Sequence, residues 1–165
     1  MRKALPRFTQ QRGFTLIELL VALTIVTILA VSVYVALNPA QRLKDSKDAR
    51  RSADVDTILS AIHQSIVDNK GTSPSNMPAA GTEVQLGTDV TGCAVSNSNC
   101  TIAAAACEDL MTGSQNLSKY LASMPLDPGG GTAGKTGYSV VQDSNGIVTI
   151  KACSTDGSTV ISVSR

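Results

Sequence analysis

From residue 14 to residue 37 the chain is apolar, and the carboxylate of Glu18 is the one charge in the run. Coiled as an α-helix this stretch reaches about 36 Å, against about 30 Å for the hydrocarbon of a bilayer. It is long enough to span. Arg2, Lys3, Arg7 and Arg12 precede it and no acid does. The positive-inside tendency therefore keeps the start of the chain cytoplasmic and sends the remainder outward, despite the basic residues that follow the run. The expected topology is single-pass, N-in and C-out. Most single apolar helices are plain anchors, but a carboxylate within one costs about 2 to 3 kcal/mol near the bilayer centre and less near an end. Glu18 therefore points to a further role.

Outside the apolar run, roughly 100 residues are left to build a head, enough for a modest core. Aromatics make up only 3% of the 165 residues and tryptophan is absent. Such a head relies on small-residue packing and covalent staples. The formal charge of +1 gives no basic balance that would draw nucleic acid. Ten basic and thirteen acidic residues remain once the four leader cations are set aside, a net of −3.

The junction Arg12-Gly13-Phe14-Thr15-Leu16-Ile17-Glu18 places its one small residue before the apolar run. A secretory signal places its cleavage site after such a run. Cutting here would release a polar leader, residues 1–13, and leave the apolar helix on the mature chain. The residues RGFTLIELL resemble the precursor junction of bacterial type IV pilins and the related pseudopilins. The resemblance implies cleavage between Gly13 and Phe14 by a prepilin peptidase, and methylation of the new Phe14 amine by the same enzyme. It implies that Glu18 sets register during assembly, with a cytoplasmic assembly ATPase and an inner-membrane platform protein as further partners. The physical chemistry of the freed end agrees: an α-amino group has an ordinary pKa near 8 and would lie about 6 Å along the axis from Glu18. Pairing with the carboxylate of a neighbour would penalise a subunit docked out of register.

Residues 38–70 read as an amphipathic continuation of the helix. Asn38-Pro39 interrupts it, because proline lacks the intrahelical donor and clashes with the preceding turn; a hinge and a simple helix end are both open readings. Between Gln41 and Asp54 charges dominate, with Lys44/Asp48 and Arg50/Asp54 at the i,i+4 spacing of an exposed helix. Val55, Ile58, Leu59, Ile62 and Ile66 then form an apolar stripe that must pack on the head. A glycine C-cap is expected at Lys70-Gly71. His63 lies among these turns and is assigned no chemistry.

Residues 71–165 are expected to form the globular head. Thr101 is read as capping a short helix through Leu110, closed by Gly113, and Ser114 as opening a second through Leu121. Leu121 to Pro128 (LASMPLDP) is similar to the turn leading into the sheet of many pilins and pseudopilins. Residues 138–142, 147–152 and 159–164 are β-branched runs separated by the turn signals DSNG and STDG, an antiparallel meander. One face of that meander must bury against the stripe. The run at 129–131 reads as a flexible glycine turn. Cys93, Cys100, Cys107 and Cys153 all fall outside the membrane, and their even number favours two disulfides over a metal site. The preferred pairing is Cys93 with Cys100 and Cys107 with Cys153.

The fold class is α+β: a long N-terminal helix, half transmembrane and half amphipathic, packed on a small antiparallel sheet. The leading function is a self-assembling subunit of a type IV pilus, serving adhesion, twitching motility or DNA uptake, membrane-bound as a precursor and extracellular once polymerised. The alternatives are a secretion pseudopilin, for which Asp127, Asp143 and Asp156 are conceivable calcium ligands, and a low-copy tip subunit gripping DNA or a surface glycan. Lone aspartates in turns are more often turn formers. No catalytic set, phosphate-cradling loop, metal-ligand cluster or cofactor site is read from the chain.

Overall fold

The computed structural model describes residues 13–157 and 159–165, so the expectations for residues 1–12 lie outside the described residues. The chain divides into two units, one ending at Ala40 and one running Gln41–Arg165. In the first unit, helix α1 (Leu16–Leu37) has no buried residue. Its leucines, isoleucines and valines face outward on every side, as expected of a helix whose solvent is lipid. α1 stops at Asn38, which adopts the left-handed conformation with φ 39° and ψ 67°. Two local effects select that stop. A residue before proline is disfavoured in the right-handed helical region, and asparagine tolerates the left-handed one better than most.

Helix α2 (Pro39–Asp68) opens on Pro39, whose missing N–H would be unpaired in a first turn anyway. Its early turns are charged and mostly exposed. From Arg51 onward one face turns inward: Val55, Ile58, Leu59, Ala61 and Ile62 are buried, and Ile66 is partly so. Each fully buried aliphatic side chain of this size stabilises the head by about 1.5 to 3 kcal/mol. α2 ends in a Schellman motif, in which Gly71 N donates to Ile66 O at 2.8 Å and Lys70 N to Val67 O at 3.2 Å. The left-handed residue of that motif is Lys70, with φ 57°, rather than a glycine. The expected glycine cap is thus displaced by one position, with Gly71 taking the next place along.

The described residues of the head add six strands: β1 (Val84–Gln85), β2 (Val95–Ser96), β3 (Thr101–Ile102), β4 (Tyr138–Gln142), β5 (Val148–Ala152) and β6 (Ser162–Ser164). The main sheet is antiparallel with order β1-β4-β5-β6. The predicted meander is its last three strands; β1 is a fourth, too short to announce itself. Pairing of Tyr138 with Ala152 and Val140 with Ile150 sets one face of β4 and β5 into the core with Val55, Ile58, Leu59 and Ile62 of α2. The turn between β4 and β5 is built on Asp143, whose Oδ1 accepts the N–H groups of Asn145 and Ile147 at 2.8 Å each. Those bonds, the Ile147 N–H foremost, hold the Asp143 carboxyl below its ordinary range.

The middle of the chain departs from expectation. The helix proposed from Thr101 is absent: Thr101–Ile102 is a strand paired with Val95–Ser96, and the alanine run follows as an irregular segment. Its backbone is taken by neighbouring chain, with Cys93 N bonded to Ala105 O, Cys107 N to Asp89 O and Glu108 N to Gln85 O. These tertiary partners override the helix propensity of alanine. The second proposed helix shrinks to a single 3-10 turn at Leu117–Lys119, capped by Asn116, whose side chain accepts from Ser118 N at 3.1 Å.

The disulfides are Cys93–Cys107 and Cys100–Cys153, which corrects the expected pairing. Pairing of Val95 with Ile102 and Ser96 with Thr101 explains the outcome. Extending that register sets Cys93 opposite Ala104, beyond reach of Cys100 at the far end of the hairpin. The buried Cys100 instead lies under the sheet beside Ser139 and Cys153.

Candidate functional site

The first candidate site is the junction where the helix begins. Thr15 is the N-cap of α1, in extended conformation with φ −80° and ψ 150°, and its Oγ1 accepts the N–H of Glu18 at 3.3 Å. Thr15 and Glu18 stand in the spacing of a capping box. Threonine suits the place because its short hydroxyl takes one of the N–H groups that a helix start leaves unpaired. Gly13 and Phe14 consequently lie outside the helix, and Phe14 is 83% exposed. An added Cβ at Gly13 would meet nothing within 4 Å. The Glu18 carboxylate belongs to the first turn of α1, where the partial positive charge of the helix favours an anion.

Further along α1 the polar side chains turn back on their own backbone. Thr24 bonds Val21 O at 2.8 Å, Thr27 bonds Leu23 O at 2.6 Å and Ser32 bonds Leu29 O at 2.8 Å. Hydroxyls satisfied in this way cost little in an apolar medium. α1 is long and apolar enough to cross a membrane, and its composition suits it to anchor there. Asn38 and Pro39, the expected hinge residues, are the left-handed cap of α1 and the first residue of α2.

The second cluster lies in the head and went unrecognised in the sequence. Arg51 is only 2% exposed, yet its guanidinium meets three carboxylates. Nε and Nη2 both reach Asp127 Oδ1 at 2.8 Å, while Nη1 reaches Asp48 Oδ1 and Asp156 Oδ2 at 2.6 Å. Asp48 also accepts the N–H groups of Asp156 at 3.0 Å and Gly157 at 2.7 Å. Burial works against the charge of Arg51, but bonds from Asp156, Asp48 and Asp127 outweigh it and raise the guanidinium pKa above its ordinary value. The Asp48 carboxyl is held below its own: burial pushes it up, and the Asp156 N–H, Arg51 and the Gly157 N–H pull it down further. Nearby, burial and a 2.7 Å bond to Asp54 push the Tyr138 hydroxyl up.

This cluster assigns places to two of the three aspartates considered as calcium ligands. Asp127 and Asp156 hold Arg51, and Asp143 builds a turn. Among the described residues no group of three or more His, Cys, Asp or Glu side chains is arranged to hold a metal ion. Within the glycine run at 129–131, Gly130 is open, whereas Gly129 and Gly131 have no room for a side chain. A Cβ on Gly131 would lie 2.5 Å from both Asp127 N and Thr136 O. A signal for Arg51 was present, since stepping the apolar stripe back four residues from Val55 lands on it, so an arginine at that position had to bury its charge with partners. His63 lies on the outer part of α2, its Nε2 3.1 Å from Arg165 O.

Residues 8–34 match the family model described as the prokaryotic N-terminal methylation motif. No curated protein and no solved structure matches the chain. The matched segment takes in Gly13, Phe14, the Thr15 cap, Glu18 and most of α1, and a motif of this type points to a structural protein. With a basic segment ahead of it in the sequence and an outward-facing apolar helix behind it, this junction marks the chain as a bearer of the N-terminal methylation motif, the type IV prepilin-like signature.

Proposed function

We propose that the chain is the precursor of a type IV pilus subunit, a structural protein that polymerises through α1 into a surface filament. The observation that carries this reading is the start of α1: the helix begins at Leu16, two residues after Phe14, inside the matched motif at residues 8–34. Cleavage between Gly13 and Phe14 by a prepilin peptidase would add water across that peptide and leave a cationic amine on Phe14. Methylation of the amine would keep its charge. The freed amine then pairs with Glu18 of a neighbour, and α1 passes from lipid into a bundle of its own kind. An assembly ATPase and a membrane platform protein supply the work, and Asn38-Pro39 gives the helix a place to bend. The two disulfides favour a head on the outer, oxidising side of the membrane over one in the cytoplasm.

Mass spectrometry of protein sheared from intact cells tests the reading. The expected species is an abundant chain beginning at methylated Phe14 with both disulfides intact. A chain that keeps Met1 and stays with the membrane fraction as single molecules would overturn it.

A further inference from the structure

A groove of about 460 Å³ opens in the head beside α2, lined by Met111, Met124, Pro125 and Leu126 together with Arg50 and Asp109. Its wall is apolar, and it carries one charge of each sign. Leu126 is 38% exposed in this wall. Earlier on α2, Leu43 is 61% exposed and is the one large aliphatic side chain in a stretch of charged residues, alanine, serine and glutamine. Leu43 precedes Arg50 by two helical turns, about 10 Å along the axis. The leucine is flanked by Arg42, Lys44 and Asp45, again charges of both signs.

We propose that this groove receives Leu43 of a second copy of the chain. The two surfaces match in chemistry: an isolated aliphatic side chain faces an aliphatic and thioether wall, Arg42 and Lys44 meet Asp109, and Asp45 meets Arg50. Thioether side chains suit such a contact because they adapt to the shape of what enters. The proposal rests on the filament reading above and adds a head contact to the assembly made by α1. Copies anchored in one membrane run parallel, so donor and acceptor surfaces differ on the two partners. Such a heterologous contact does not close on itself and propagates into an open helical polymer. Each step displaces one copy by about 10 Å along α2, the separation of Leu43 from the groove.

The test uses the full chain expressed in cells, with cysteines placed on both sides of the contact as Leu43→Cys and Ser123→Cys. Ser123 lines the groove and is exposed, and the four native cysteines are already paired. Under mild oxidation the double variant should give a ladder of disulfide-linked multimers on a non-reducing gel, and neither single variant should go beyond a dimer. An amine-reactive cross-linker run in parallel separates the two readings. Multimers with the cross-linker but no ladder, or a different protein captured at position 123, overturn the groove contact and leave the filament standing. Absence of wild-type multimers with the amine-reactive cross-linker overturns the filament reading itself. Should the double variant fail to accumulate, Leu43→Asp decides. It should lower multimer yield by about tenfold or more, the loss expected for one leucine-sized apolar contact, and Leu43→Ile should restore it. Unchanged yield for Leu43→Asp overturns the proposal.

Discussion

Replacing Arg51 with alanine leaves Asp48, Asp127 and Asp156 facing one another without the guanidinium that joins them. Breaking a buried ion pair from one side costs about 3 to 5 kcal/mol, so Arg51→Ala should lower the thermal unfolding temperature of the detergent-purified chain by ten degrees or so. The same cluster sets the acid limit of the head. Asp48 holds its proton less tightly in the folded chain than at its ordinary pKa of 3.8. A carboxyl depressed in this way contributes stability above that value and loses it as pH falls through the folded pKa, because the unfolded chain binds more protons. Denaturation midpoints should therefore be flat with respect to Asp48 from neutrality down to about pH 5 and fall below about pH 4. Asp48→Asn should flatten that acid limb while lowering stability at neutral pH. Lys70 offers a change of opposite sign. Its φ of 57° is strained for a side chain with a Cβ, and Lys70→Gly should stabilise the head by roughly 0.5 to 1 kcal/mol in urea denaturation.

Between elements, the two disulfides differ in the length of chain they close. Cys100–Cys153 spans 53 residues and joins the β2–β3 hairpin to the end of β5, whereas Cys93–Cys107 spans 14 and closes the segment that contains that hairpin. Loop entropy assigns them about 4 and about 3 kcal/mol. Cys100→Ser with Cys153→Ser should therefore destabilise more than Cys93→Ser with Cys107→Ser, as read from denaturant midpoints. This difference also marks the limit of what could be read from the chain alone. Elements with strong local signals were legible: the apolar run that became α1, the stripe on α2, and strands bounded by DSNG. Two-residue strands such as β1 and β2 are too short to show a period, and β1 pairs far off in sequence, Val84 with Val140. The pairing of Cys93 depends on the register of such a strand, and the alanine run lost its helix to backbone partners that only tertiary structure supplies. At the junction, residue types and spacing sufficed to single out the segment that matches the N-terminal methylation motif. The Arg51 cluster was missed because only Asp48 comes from α2, while Asp127 and Asp156 are brought to it by two loops far off in sequence.

At the scale of the proposed assembly, the decisive question is what the Glu18 carboxylate would do if α1 left the lipid for a filament. Two local roles compete. As the acid of the Thr15 capping box it would steady the first turn of α1 within one chain, worth about 0.3 to 1 kcal/mol. As the partner of a neighbouring Phe14 amine it would act between chains, where an unpartnered buried carboxylate costs several kcal/mol. A loss of that size at every step of a polymer lowers the tendency to assemble at least a hundredfold, while a fraying first turn barely alters it. Glu18→Ala removes both roles, so it should leave membrane insertion intact and sharply reduce sheared filaments. Glu18→Gln separates them, because glutamine still serves the capping box but carries no charge. If pairing between chains governs assembly, the glutamine variant loses filaments as fully as the alanine variant, with the membrane fraction of the precursor unchanged. Filaments at the wild-type level from Glu18→Gln would place the role of this residue inside its own helix, and the register of the polymer would then have to come from the heads.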